Sequence, residues 1–177
     1  MCYKIGMGNF NEAKKFKNKF EISYENYMIG RFQPMSGIIQ KFIAEFGEER
    51  VMQLVSEYMD EITIKSIKQS EEENSIENFS QFKLKFMKMI NTEFMKNTIT
   101  YSIIEDSDYK MEFKITKCLW ARVMKKFGYE GERGYTICCK PDYAMTTAFH
   151  KNLKLSRTKT LMQGDDCCNP IYHWLTE

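Results

Sequence analysis

No stretch of these 177 residues approaches the roughly 20 consecutive apolar residues that a membrane-spanning helix needs. The opening residues, Met1-Cys2-Tyr3-Lys4-Ile5-Gly6-Met7-Gly8, lack the apolar run of a secretory signal. A cytoplasmic protein with no membrane partner is therefore expected. Neither sign of charge dominates: 26 Lys and Arg stand against 24 Asp and Glu, a net +2 spread over both halves of the chain. The basic stripe that marks a nucleic-acid binder is missing, so nucleic acid is not expected as a partner. The only histidines, His150 and His173, are too few and too isolated for a His-rich metal site or a Ser/His/Asp triad. G-x-S-x-G, H-E-x-x-H, the Walker loop and G-x-G-x-x-G are all absent. A small molecule remains as the expected partner, with a homo-oligomer open.

What is present is a globular composition, 43% apolar and 28% charged, with 13 Phe and 10 Tyr to fill a core. The length suits one domain over residues 1–177, divided into a helical part (1–97) and a sheet part (98–177). From Asn11 to about Met28, Phe16, Phe20, Tyr24, Tyr27 and Met28 recur at helical spacing, and Gln33-Pro34-Met35-Ser36-Gly37 reads as a break. A helix begins again near Ile38 with an interruption at Gly47. Beyond it, Val51, Leu54, Val55, Tyr58, Met59 and Ile62 follow the i, i+3, i+4 pattern. Residues 69–78 (QSEEENSIEN) read as an acidic surface loop. Phe79, Phe82, Phe86, Ile90 and Phe94 predict one core-facing helix to about Asn97.

The second half is β-branched and aromatic. Residues 98–105 and 109–116 predict a hairpin around Asp106-Ser107-Asp108, followed by a helix over 117–127 that stops at Gly128. A short strand over 135–139 and a helix from Pro141 to about Phe149 come next. Strands over 153–162 and 169–175 complete the chain. Helices first, then a mostly antiparallel sheet with inserted helices, make an α+β fold.

Five of the six cysteines fall late in the chain, as Cys118, Cys138-Cys139 and Cys167-Cys168. In a reducing compartment such clustering points to catalysis or metal binding more than to disulfides. On a strand, Cys138 and Cys139 would face opposite sides, so only one would reach a given site. Asp142 follows Cys139 at a predicted helix start, where free N–H groups favour thiolate and carboxylate alike; the bland alternative is a buried, inert thiol. Gly164-Asp165-Asp166-Cys167-Cys168 reads either as a turn or as a second cluster. Cys118, Cys139 and Cys168, with a carboxylate or water, are acceptable ligands for Zn²⁺ or another divalent metal, though none of their spacings is that of a zinc ribbon. Arg157 shares a strand face with Leu153 and Leu155. It is either buried and paired with Asp142, Asp165, Asp166 or an acidic substrate, or else solvated like Lys159.

Taken in order, Cys118-x-Trp120, Cys139-x-x-Asp142 and Leu155-Ser156-Arg157-Thr158-Lys159-Thr160-Leu161-Met162-x-Gly164-Asp165-Asp166-x-Cys168 resemble the L-2-amino-thiazoline-4-carboxylic acid hydrolase family. The resemblance implies hydrolytic opening of a cyclic isothiourea. It aligns Cys118, Cys139, Asp142, Asp166 and Cys168 with the family's motif positions and leaves Cys138 and Cys167 as variable neighbours. The implied roles are Cys139 or Cys168 as nucleophile or as ligand of a metal that activates water, and Asp142 or Asp166 as proton relay. Arg157 and Trp120 are implied on the substrate, Arg157 holding its carboxylate. The alternative is a non-enzymatic metal- or small-molecule-binding module that uses the same thiols.

Overall fold

A computed structural model describes residues 22–71 and 76–175. Phe16, Phe20 and part of the expected acidic loop lie outside the described residues.

The first helix, α1 (Tyr24–Phe46), is capped by the Ser23 side chain and runs straight through the expected break at Pro34. An interior proline costs a helix about 3 kcal/mol. Burial of Met28, Ser36 and Ile39, which fall on one side at spacings of eight and eleven, outweighs it. Gly47 does interrupt the chain, with φ +82°, a conformation that glycine adopts without strain. Beyond it α2 (Glu48–Glu71) carries the expected stripe, but Val51 is buried whereas Leu54 and Tyr58 are exposed. The single helix expected over 79–97 is two, α3 (Phe79–Ile90) and α4 (Glu93–Thr98). Asn91 closes one and the Thr92 side chain caps the next, two short polar residues competing with continued helix.

The hairpin forms as expected, β1 (Ile99–Asp106) with β2 (Lys110–Cys118). After it come α5 (Leu119–Lys126), a short turn α6 (Glu132–Gly134), and α7 (Pro141–Phe149). Strands β3 (Leu153–Ser156) and β4 (Ile171–Trp174) complete an antiparallel sheet in the order β1-β2-β4-β3. The fold is thus α+β. No helix of the described residues is long and apolar enough to cross a membrane.

Two expected strands are corrected. Residues 135–139 form a π turn, closed by the Lys140 N–H donating to the Tyr135 carbonyl at 2.8 Å, and lead directly into α7. β3 ends at Ser156, because the Thr158 and Lys159 N–H groups donate to the Asn169 side chain and Thr160 caps a 3₁₀ turn over Leu161–Gln163.

There are two cores. Phe79, Phe82, Phe86 and Ile90 of α3 pack on Met111, Phe113, Leu153 and Tyr172 of the sheet. Ile39, Val51, Met124, Tyr129, Ile137 and Met162 form the second, joining α1 and α2 to the segments around the π turn. The second is close-packed at Gly134, where a Cβ would stand 2.1 Å from the Tyr129 carbonyl oxygen and 2.5 Å from Met162 Sδ. Backbone cannot yield there as a side chain can. Gly134→Ala is expected to cost about 1–3 kcal/mol by urea denaturation, and a variant as stable as the parent would show that the contact is slack.

Candidate functional site

Between the two cores lies a cavity of about 340 Å³, and most of the chemistry singled out in the sequence converges on it. Cys118 reaches it from the end of β2, Trp120 from the first turn of α5, and Cys138 and Cys139 from the π turn. Asp142 comes from the first turn of α7, Arg157 from the loop after β3, and Cys168 from the segment before β4.

The π turn explains why both members of the CC pair contribute. Successive helical residues diverge by about 100° rather than the 180° of a strand, so Cys138 and Cys139 both line the cavity.

Arg157 is the anchor. Its side chain is 5% exposed, and its Nη2 donates to Asp142 Oδ2 and to the Cys139 carbonyl, each at 3.0 Å. The guanidinium lies 5.5 Å from the centre of the Tyr143 ring. Of the two readings of Arg157, the buried and paired one holds, and Asp142 is the carboxylate that pairs with it. Arg157 Nε–H is buried with no hydrogen-bond partner among the described residues, an unsatisfied donor on a cavity-lining side chain.

The loop that carries Arg157 is held by its own motif. Asp165 accepts from the Thr160 N–H at 2.6 Å, and Asn169 Oδ1 accepts from the Thr158 and Lys159 N–H groups. Cys168 and Ile115 exchange two backbone hydrogen bonds of 2.9 Å, which pin this segment to β2. Cys168 Sγ accepts from the Leu161 N–H at 3.2 Å.

Asp166 stands apart. It is exposed, pairs with Lys159 at 3.0 Å, and does not line the cavity. Cys167 is also outside it, its thiol directed at Asp166. Sequence reasoning passed over Tyr143 and Tyr172, which flank Arg157 and the cavity. Their only signal was an aromatic residue one place beyond Asp142 and one in the last strand.

The electrostatics oppose an activated thiol at rest. Burial raises the Cys118 thiol to about 11 and the Cys139 thiol to about 12, the latter with the Asp142 carboxylate as the next cause. Cys138 is pushed well above the ordinary value, again by burial. The expected help from a helix start is lost for Cys139, because the π turn runs on into α7 and leaves no free helix end beneath it. Cys168 is raised by burial too, but the Leu161 N–H and the Arg157 charge both favour its thiolate. Burial raises the Asp142 carboxyl while Arg157 opposes the shift; its side chain is 39% exposed and lines both the cavity and an adjoining outer hollow. That outer hollow, about 670 Å³, shares Trp120, Cys138, Asp142 and Met145 with the cavity.

As for a metal, no three His, Cys, Asp or Glu among the described residues converge as a metal-holding group. The set Cys118, Cys139 and Cys168 lines one cavity without forming such a cluster, so no step is derived through a metal. The five described cysteines are free thiols.

The sequence matches the family described as L-2-amino-thiazoline-4-carboxylic acid hydrolase over residues 28–172. No curated protein matches the chain. Among solved structures, the phenol-responsive sensory domain of the transcription activator PoxR, determined with phenol, is similar at a TM-score of 0.48 and 9% identity, covering 80% of this chain and 73% of that one.

Removing one member of a buried ion pair leaves the other charged and unpaired, whereas replacing both with apolar groups of similar size is often neutral. Asp142→Leu is therefore expected to cost about 3 kcal/mol in urea denaturation, and the double variant Asp142→Leu/Arg157→Met to recover most of it. Equal losses in both would refute the pair's burial.

The raised thiols also set a pH dependence. A group that holds its proton more tightly folded than unfolded contributes stability below its unfolded pKa and loses it as pH rises. With Cys139 at about 12 against an ordinary 9.0, the urea midpoint is expected to fall as pH climbs above about 9. The fall should be shallower in Cys139→Ala, and an identical slope would contradict the burial of this thiol.

Proposed function

The chain belongs to the L-2-amino-thiazoline-4-carboxylic acid hydrolase family, and from that premise we propose that it adds water across the ring C–S bond of a cyclic isothiourea acid such as 2-amino-thiazoline-4-carboxylate. The observation that carries this reading is the meeting of the buried Arg157, its partner Asp142 and several thiols at one cavity.

The reaction needs a cation for the carboxylate, a nucleophile at the amidine carbon and a proton for the departing sulfur. Arg157, whose side chain lines the cavity, holds the carboxylate. Cys168 is the better nucleophile of the two candidates. Its sulfur already accepts the Leu161 N–H, and there the favourable Arg157 charge outweighs the opposing Asp142 carboxylate, whereas at Cys139 that order is reversed.

Cys168 sulfur bonds to the amidine carbon as its proton passes to Asp142. The ring C–S bond then breaks, and the ring sulfur keeps the electron pair and takes that proton. A carboxyl raised by burial suits this relay. Water next adds at the same carbon and displaces the Cys168 thiol. The balance is one water consumed, one C–S bond broken, one C–O bond formed and an N-carbamoyl-cysteine released.

One observation favours a second reading, a binding module without turnover: burial holds every one of Cys118, Cys138 and Cys139 in the neutral form.

A thiol-release assay on reduced protein, freed of reductant, separates them. With 2-amino-thiazoline-4-carboxylate, more than one equivalent of new thiol is expected, and it should be independent of added Zn²⁺. Cys168→Ala and Arg157→Ala are expected to lower kcat/KM by about 100-fold or more, while Asp166→Asn stays near the parent. Release that persists in Cys168→Ala would remove this nucleophile. Tight binding with no release would favour the binding module.

A further inference from the structure

The polar groups of the cavity come from the π turn, α7 and the segments flanking the 3₁₀ turn. Apart from Cys118, the part of its wall that comes from α3, α4 and the first two strands is aromatic or aliphatic, with Phe86, Ile90, Tyr101, Phe113 and Ile115 among its lining residues. Phe86, Ile90 and Phe113 are buried core residues, at 7%, 3% and 2% exposure. Their rings also pack on each other, with Phe86 5.6 Å from Phe113 and 4.7 Å from Tyr172, and Tyr101 5.6 Å from Phe113. A single small ring bearing a carboxylate and an amino group offers nothing apolar to that end. Water there would find few hydrogen-bond partners, since buried waters ordinarily make two to four.

We infer that the substrate is a monocarboxylic acid whose ring carries an apolar substituent, with the carboxylate on Arg157 and the substituent among Phe86, Ile90, Tyr101 and Phe113. This rests on the cavity's being the substrate site, as proposed above, and names the substrate's class more narrowly. Two independent features specify it. The cationic side chain of Arg157, which lines the cavity and carries a buried Nε–H without a partner among the described residues, calls for an anionic acceptor at one end. The apolar wall at the other end calls for burial of hydrocarbon, the ordinary division of labour in a ligand pocket.

The test uses the full chain and two probe series read by calorimetry. Straight-chain carboxylates from butyrate to octanoate are expected to gain about three- to fourfold in affinity per methylene. The matching primary alcohols should bind at least about tenfold more weakly. The double variant Asp142→Leu/Arg157→Met should keep the chain-length trend and lose the preference for acid over alcohol. In the thiol-release assay, a 2-amino-thiazoline-4-carboxylate bearing a benzyl group is expected to show a lower KM than the parent compound. Flat affinity across the carboxylates, or alcohols binding as well as acids, would overturn the inference. Turnover of the unsubstituted compound with no gain from the benzyl group and no octanoate binding would also sink it, leaving the hydrolase reading intact. Chain-length-dependent acid binding without ring opening of either compound would do the reverse: the ligand class would stand and the hydrolase reading would fall.

Discussion

The ion pair between Arg157 and Asp142 is the constraint around which the C-terminal half is arranged. A guanidinium with 5% of its surface accessible is expensive to bury and tolerable only if its geometry is held. Each neighbouring feature contributes to holding it. The π turn presents the Cys139 carbonyl to Nη2, Tyr143 lies against the guanidinium, and Asp165 and Asn169 fix the loop from which Arg157 departs. The bridge between Ile115 and Cys168 ties that loop to the sheet. Segments far apart in the chain are thus brought to one point by a single charged side chain.

The same burial governs the thiols. A cysteine beside a helix start is readily imagined as a thiolate, but desolvation is the larger effect at Cys118, Cys138 and Cys139. Only at Cys168 do a backbone N–H and a cation together offset it in part. Thiol reactivity in this cavity is therefore set by hydrogen bonds reaching individual sulfurs and by the charge of whatever binds beside them, not by clustering in the sequence.

The hairpin, α7 and the interruption at Gly47 were legible because each carries its own local signal: β-branched alternation, a proline at the first helical position, a glycine with φ above zero. The pairing of Arg157 was legible as an alternative, from the Leu153–Leu155–Arg157 alternation. Other features depended on distant packing. Pro34 reads as a stop in isolation, and only the contacts of Met28 and Ile39 carry the helix past it. Residues 135–139 have strand-like side chains, yet they form a π turn whose Ile137 and Cys139 pack in the second core, tertiary packing overriding local propensity. Asp165 and Asp166 are neighbours of one chemical type and both are exposed; which of them ties the loop is decided by the Thr160 amide, a contact that no local pattern announces.

The π turn has one more implication. Its ring spans one residue more than an α-helical turn, so the frame of α7 relative to the preceding chain is offset by a single surplus residue. Wound as ordinary α-helix, the same residues would rotate everything downstream by about 100°. Asp142 would then swing off the axis it shares with Arg157, although no residue of the pair had changed. The spacing of Cys139-x-x-Asp142 is therefore insufficient to define the site; the count of residues upstream of it is part of the same specification.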